Sequence, residues 1–187
     1  MKIPIEVSAR HVHLTNGDLQ KLFGKNYKLK IKKFLSQKGE FASKEKIELI
    51  NGKEKLTARV LGPCREKSQV EISITDAHRL NLKKIPQIRV SGDLENTSSI
   101  EINGPKGKTK INIIVAQRHL HISDAEAKKF KLKNNRIVRI KTKGKRAVIF
   151  ENVIVRVNKN YKLALHLDTD EANSAGIIKN SYGNLIK

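Results

Sequence analysis

Four of the six histidines stand in two H-x-H pairs, His11/His13 and His119/His121. On a strand, residues i and i+2 point to the same face, so each pair presents two imidazoles together. Imidazole is a common ligand of zinc and its neighbours. The surroundings repeat as well. Ser8-Ala9-Arg10-His11-Val12-His13-Leu14-Thr15 matches Ala116-Gln117-Arg118-His119-Leu120-His121-Ile122-Ser123, the mark of an internal duplication. A second echo lies downstream: Glu71 precedes Thr75-Asp76-Ala77, and His166 precedes Thr169-Asp170-Glu171-Ala172. A catalytic zinc takes about three protein ligands and leaves a position open. Two ligand sets follow: His11, His13 and Glu71, and His119, His121 and His166. Closed structural zinc sites rely mostly on cysteine, and Cys64 is alone, so mixed His/Glu ligation favours open, catalytic centres. Glu71 would leave its ion with less net charge. The three-histidine ion would keep its full double charge and be the stronger trap for phosphate or hydroxide.

Arg65 follows Leu61-Gly62-Pro63-Cys64, a turn just before the Glu71 strand. A guanidinium placed there suits phosphate or carboxylate. Arg10 and Arg118 alternate with the histidines, face away from them, and read as supports. Cys64 has no partner histidine by spacing and reads as a small packing residue. His78 reads as a surface residue.

The elements that must position these groups are short and mostly β. KIPIEV, YKLKIKK, KIELI, KLTARVLG, VEISI, IRVSG, SIEING, TKINIIVA, NRIVRIKT, RAVIFENVIVRV and KLALHL alternate with period two, as half-buried strands do. Turn signals such as Asn51-Gly52, Ser91-Gly92-Asp93 and Lys143-Gly144-Lys145 separate them. About ten strands at this spacing predict barrels or sandwiches. Four short helices are predicted: one opened by Thr15 and Asp18 and closed by Gly24, the others opened by Ser123-Asp124, Thr75-Asp76 and Thr169-Asp170, residues that cap free N–H groups. The fold expected is mainly β, two related β-rich units capped by short α-helices.

The chain has 187 residues, 38% of them hydrophobic, enough for one domain or two small ones. One cysteine cannot form an internal disulfide, which points to a reducing compartment. No apolar run reaches the roughly 18 residues of a membrane helix, and no signal peptide is visible. A cytoplasmic protein with no membrane partner is expected. The net charge of +21 invites a nucleic-acid reading. The excess is lysine, 29 against 10 arginines, tryptophan is absent and aromatics are 4%. Those features argue against base readout and stacking. A lysine-rich surface also attracts polyanionic small molecules.

At these residues the sequence resembles the PduL-type phosphotransacylases, or phosphate propanoyltransferases. SARHVHLT, LFG, LSQKGEFASKE, LGPCREKSQVEIS with TDA, RVSGD, GPKG, IVAQRHLHIS with DA, and HLDTDEAN occur in the family's order through nearly the whole chain. The resemblance implies two β-barrels with the metal site between them, and a homodimer. Residues 1–9 and 117–187 would form the barrel with the three-histidine ligands. Residues 10–116 would form the other, with a small inserted hairpin at about 25–43. It implies two zinc ions per chain on the two ligand sets, and Arg65 in contact with phosphate. The implied reaction is reversible transfer of a short acyl group, propanoyl or acetyl, between coenzyme A and inorganic phosphate, giving acyl phosphate. Family members are tied to propanediol degradation, often with an N-terminal extension that targets a microcompartment shell. No such extension is evident here, which makes a cytosolic acetyl or propanoyl role at least as fitting. Lys38 stands where the family usually has proline. Two rivals remain: a two-metal hydrolase of a phosphate ester or thioester, and a basic nucleic-acid-binding β-barrel with structural metal.

Overall fold

The computed structural model describes residues 2–186. The chain divides into two compact units, one of residues 10–116 and one that joins residues 1–9 to residues 117–187. Strand β1 (Lys2–Ser8) therefore opens the chain but belongs with its C-terminal part.

The first unit holds β2 (His11–His13), helix α1 (Asn16–Phe23), β3 (Ile31–Phe34), β4 (Phe41–Asn51), β5 (Glu54–Gly62), β6 (Gln69–Ile72), α2 (Ile74–Arg79), β7 (Ile88–Arg89), β8 (Ser99–Asn103) and β9 (Lys108–Ala116). Its sheet runs β4-β5-β2-β6-β9, and β8 pairs with both β4 and β9, closing a ring of six strands. Strand β3 folds back on the start of β4, and β7 pairs with the end of β9. The second unit adds β10 (His119–Ile122), α3 (Asp124–Phe130), β11 (Ile137–Lys141), β12 (Ile149–Val157), β13 (Ala164–Asp168), α4 (Thr169–Ser174) and β14 (Tyr182–Ile186). Its barrel closes in the order β1-β13-β10-β12-β11-β14.

The two rings are equivalent. Strand β2 lies parallel to β5 and antiparallel to β6, as β10 lies to β12 and β13. The parallel partner of β6 is β9, while that of β13 is β1. One ring is thus a circular permutation of the other: the strand that comes last in the first ring comes from the chain start in the second. Closure leaves the rings themselves without free strand edges. Alternation fills each interior. Val12, Leu14, Ile47, Leu49, Val60, Val70 and Ile72 pack one core; Ile3, Ile5, Leu120, Ile122, Val138, Ile140 and Leu165 pack the other. The alternate residues on the same strands, the histidines among them, stand on the outer faces.

Helix α1 is capped by Thr15 and closed by Gly24, whose φ is +106°, and α3 is capped by Ser123. The other two caps differ from the sequence reading. Ser73, not Thr75, caps α2, and Asp168, not Thr169-Asp170, caps α4. The reason is reciprocity across three residues. Ser73 with Asp76, and Asp168 with Glu171, form capping boxes in which each side chain answers the other's backbone N–H.

The YKLKIKK segment is extended only from Ile31, because Lys30 N–H and the Tyr27 hydroxyl are taken by the Glu45 carboxylate. IRVSG shortens to Ile88–Arg89 because the backbone turns at once, with Asp93 N–H donating to Val90 C=O. The period-two reading did not include β14. It carries Gly183, where a Cβ would meet Ile140 Cγ2 at 2.5 Å, so close packing there needs a glycine that breaks the alternation.

Candidate metal centres

In the first unit, His11 and His13 leave the outer face of β2 while Val12 and Leu14 enter the core. Glu71 stands directly across from His11 on β6. Its carboxylate lies 3.5 Å from His11 Nε2 and 3.8 Å from His13 Nε2. The imidazole rings meet edge to face at 4.9 Å. All three side chains are buried, and their ligand atoms fall within 4.8 Å of one another.

Burial pulls the His13 pKa well below the usual histidine range. The charges of His11 and Arg65 add to this, and Glu71 opposes it. His13 is therefore a neutral ring with a lone pair to give. Burial pushes the Glu71 pKa up, but His11, His13 and the Ser91 hydroxyl outweigh it and hold the carboxyl well below the usual range. His13 Nδ1 is buried without a hydrogen-bond partner, a state that costs stability unless something else satisfies the nitrogen. Two neutral-capable imidazoles and a carboxylate converging at this spacing fit a zinc-type divalent cation.

Supporting residues fix Glu71. The Gln69 amide and the Ser91 hydroxyl both donate to Glu71 Oε1, the latter at 2.8 Å. Gln69 also donates to Ser91 Oγ at 2.7 Å and accepts from Gly92 N–H at 2.9 Å. One carboxylate oxygen is thus held, and Oε2 faces His11. Arg65 is tied to the same network. Its backbone N–H donates to Leu14 C=O, its Nη1 to Ser91 Oγ at 3.2 Å, and its Nη2 to Glu40 at 3.0 Å. The guanidinium is about one-third exposed, so it is anchored yet reachable by an anion.

In the second unit, His119 and His121 leave β10, and His166 stands opposite His119 on β13. The ring centroids are 4.6–5.0 Å apart, and the three ligand atoms again lie within 4.8 Å of one another. His119 Nδ1 is 2.9 Å from Gln117 C=O, a contact that fixes ring orientation. Tyr161 stacks on His121 at 4.0 Å.

Arg10 and Arg118 occupy matching supports. Arg10 pairs with Asp76 and donates to Thr57 C=O; Arg118 pairs with Glu171 and donates to Glu151 C=O. Each ties the strand carrying an H-x-H pair to the capping box of the helix beyond its third ligand. His78 is exposed. Cys64 is exposed on its turn, and partial desolvation pushes its thiol upward, the opposite of an activated nucleophile.

The sequence reading passed over Gln69, Ser91, Glu40, Tyr161 and Glu6. Gln69 sits two residues before Glu71, hence on the same strand face, a signal that alternation alone could have supplied. Ser91 was visible only as a turn residue.

Each unit thus carries one three-residue cluster of metal-ligand donors, and the first adds an anchored, partly exposed arginine beside its cluster. A family model described as phosphate propanoyltransferase matches residues 4–178. The chain is 42% identical over 188 residues to the phosphate propanoyltransferase of Clostridioides difficile, covering 99% of this chain and 89% of that protein. It is 44% identical over 178 residues to that of Thermotoga maritima, covering 92% and 83%. It is 38% identical over 188 residues to that of Listeria monocytogenes, covering 99% and 87%. The chain belongs to the phosphate propanoyltransferase family, a family of phosphate acyltransferases. Among the described residues no helix is long and apolar enough to cross a membrane.

Proposed function

We propose that the chain transfers a short acyl group, propanoyl or acetyl, reversibly between coenzyme A and inorganic phosphate. It would use two zinc ions per chain, on His11, His13 and Glu71 and on His119, His121 and His166, and would act as a cytoplasmic homodimer. The observation that carries the reading is the pair of three-residue donor clusters, each within 4.8 Å, in a chain of this family.

A phosphate oxygen attacks the thioester carbonyl carbon. The carbon–sulfur bond breaks, and the sulfur leaves with the bonding pair and takes a proton to become the coenzyme A thiol. The product is the acyl phosphate. Zinc held by His11, His13 and Glu71 and by His119, His121 and His166 would supply positive charge for the developing oxyanion and for the leaving thiolate. Arg65 binds and orients phosphate through its fork, offsetting the repulsion between phosphate and the electron-rich carbonyl oxygen. Gln69 and Ser91 hold Glu71 in its ionised, aimed state. The lysine-rich surface draws in the phosphates of coenzyme A.

The test is a spectrophotometric assay of thiol release from acetyl- and propanoyl-CoA, with and without phosphate, on metal-analysed protein. Phosphate-dependent release that forms acyl phosphate is expected. Release at the same rate without phosphate would make the protein a hydrolase. Salt-sensitive nucleic-acid binding with no turnover would leave only the binding-protein reading.

A further inference from the structure

Glu6 has no place in either donor set, yet it stands beside one of them. Strand β1 runs parallel to β13 with Glu6 opposite His166. Ile3 and Ile5 point into the core, as do Leu165 and Leu167, so Glu6 and His166 share the outer face. Glu6 Oε2 lies 3.7 Å from His166 Nε2. The Glu71 carboxylate approaches its two histidines at 3.5 and 3.8 Å. Metal–donor distances of about 2.0–2.1 Å set the donors of a tetrahedral ion roughly 3.3 Å apart, so Glu71 stands at near-ligand separation from both of its histidines, and Glu6 from His166, at the edge of the three-histidine cluster.

From this geometry we infer that Glu6 is the carboxylate donor of the three-histidine centre. The inference rests on the metal-centre reading above. The duplication does not impose it. Strand β1 takes in its ring the place of β9, and the residue across from Glu71 there is Ile114, which is fully buried. The first unit draws its carboxylate from β6, the second from β1. Each divalent ion then faces one carboxylate, and the charge difference expected from three histidines against two histidines and a glutamate disappears. Exposure sets the two carboxylates apart instead. The Glu71 side chain is 8% exposed and the Glu6 side chain 37%. Glu6 can yield its coordination position to an incoming anion, whereas Glu71 is locked by Gln69 and Ser91.

The test is zinc titration of the metal-stripped full-length chain against a chromophoric chelator, together with visible spectra of the cobalt-loaded protein. Wild type should bind two ions. Glu6→Gln, nearly isosteric at a half-exposed position, should weaken one ion by at least the roughly 10–100-fold that loss of an outer partner of a ligand brings, leave the other unchanged and shift the cobalt bands. In a His121→Ala background, where the three-histidine centre is already broken, Glu6→Gln should change nothing further. Unaltered affinities and spectra in Glu6→Gln, or an effect that persists in the His121→Ala background, would overturn the role of Glu6. A wild-type chain that binds no zinc would overturn the metal-centre reading beneath it.

Discussion

The Ser91 hydroxyl donates to Glu71 Oε1 at 2.8 Å. The Ser91 hydroxyl oxygen in turn accepts from Arg65 Nη1 at 3.2 Å. One hydroxyl therefore links the proposed metal ligand to the proposed phosphate-binding arginine, and it lies on a turn 20 residues beyond Glu71 and 26 beyond Arg65.

Ser91→Ala removes both contacts while Gln69 still holds Glu71. Loss of such an outer partner lowers metal affinity or activity by about 10–100-fold. The expected result is weaker zinc binding at the Glu71 cluster and a raised KM for phosphate, with an unchanged fold by circular dichroism. Steady-state kinetics with phosphate varied at fixed acyl-CoA, alongside zinc titration, checks both halves.

Arg65→Ala should remove most acyl transfer while zinc content and melting temperature stay near wild type. A charge-assisted contact to the reacting phosphate contributes about 2–4 kcal/mol to the transition state, so the rate should fall by two to three orders of magnitude. Arg65→Lys should restore only part of it, because the fork that reaches Ser91 and Glu40 together is lost. A near-normal rate for Arg65→Ala would leave that residue a turn arginine.

Metal removal provides a direct check. Strong chelation followed by desalting should abolish acyl transfer, and zinc should restore it in proportion to ions bound. Elemental analysis of each fraction ties activity to metal. Full turnover in demonstrably metal-free protein would exclude the proposed centres.

Much of this site is legible in the sequence because strand alternation is a local rule. His11 with His13, and His119 with His121, must share faces once they lie on strands, and the repeat carries the eye to Glu71 and His166. The rest is set by tertiary geometry. Ser91 reaches Glu71 only because β7 pairs with the end of β9 and delivers its turn beside β6. Glu6 meets His166 only because β1 closes the second barrel, which no period in KIPIEVS announces. The shifted caps have a local cause that the T-D echo concealed. Ser73/Asp76 and Asp168/Glu171 satisfy the three-residue reciprocity of a capping box, whereas Thr75 and Asp170 already lie inside their helices.

Arg10 and Arg118 give a stability prediction with a sign. Arg10→Ala should destabilise the first unit by about 1–3 kcal/mol, because Asp76 is buried and would lose its guanidinium partner. Arg118→Ala should act likewise through Glu171, with an additional pH dependence. Burial pushes the Glu171 pKa up, and Arg118 pulls it back. A carboxyl raised on folding contributes most below its ordinary pKa, and that contribution is lost as pH rises through the raised value. Removing Arg118 raises Glu171 further, so the gap in melting temperature between Arg118→Ala and wild type should be full at neutral pH. It should narrow as pH falls through the raised Glu171 pKa toward the ordinary carboxylate value, where a protonated Glu171 no longer needs the guanidinium. Thermal melts of both proteins across that range decide the point. A gap that stays constant with pH would mean that Arg118 acts through its bond to Glu151 C=O and its packing over the Phe150 ring, and not through the charge of Glu171.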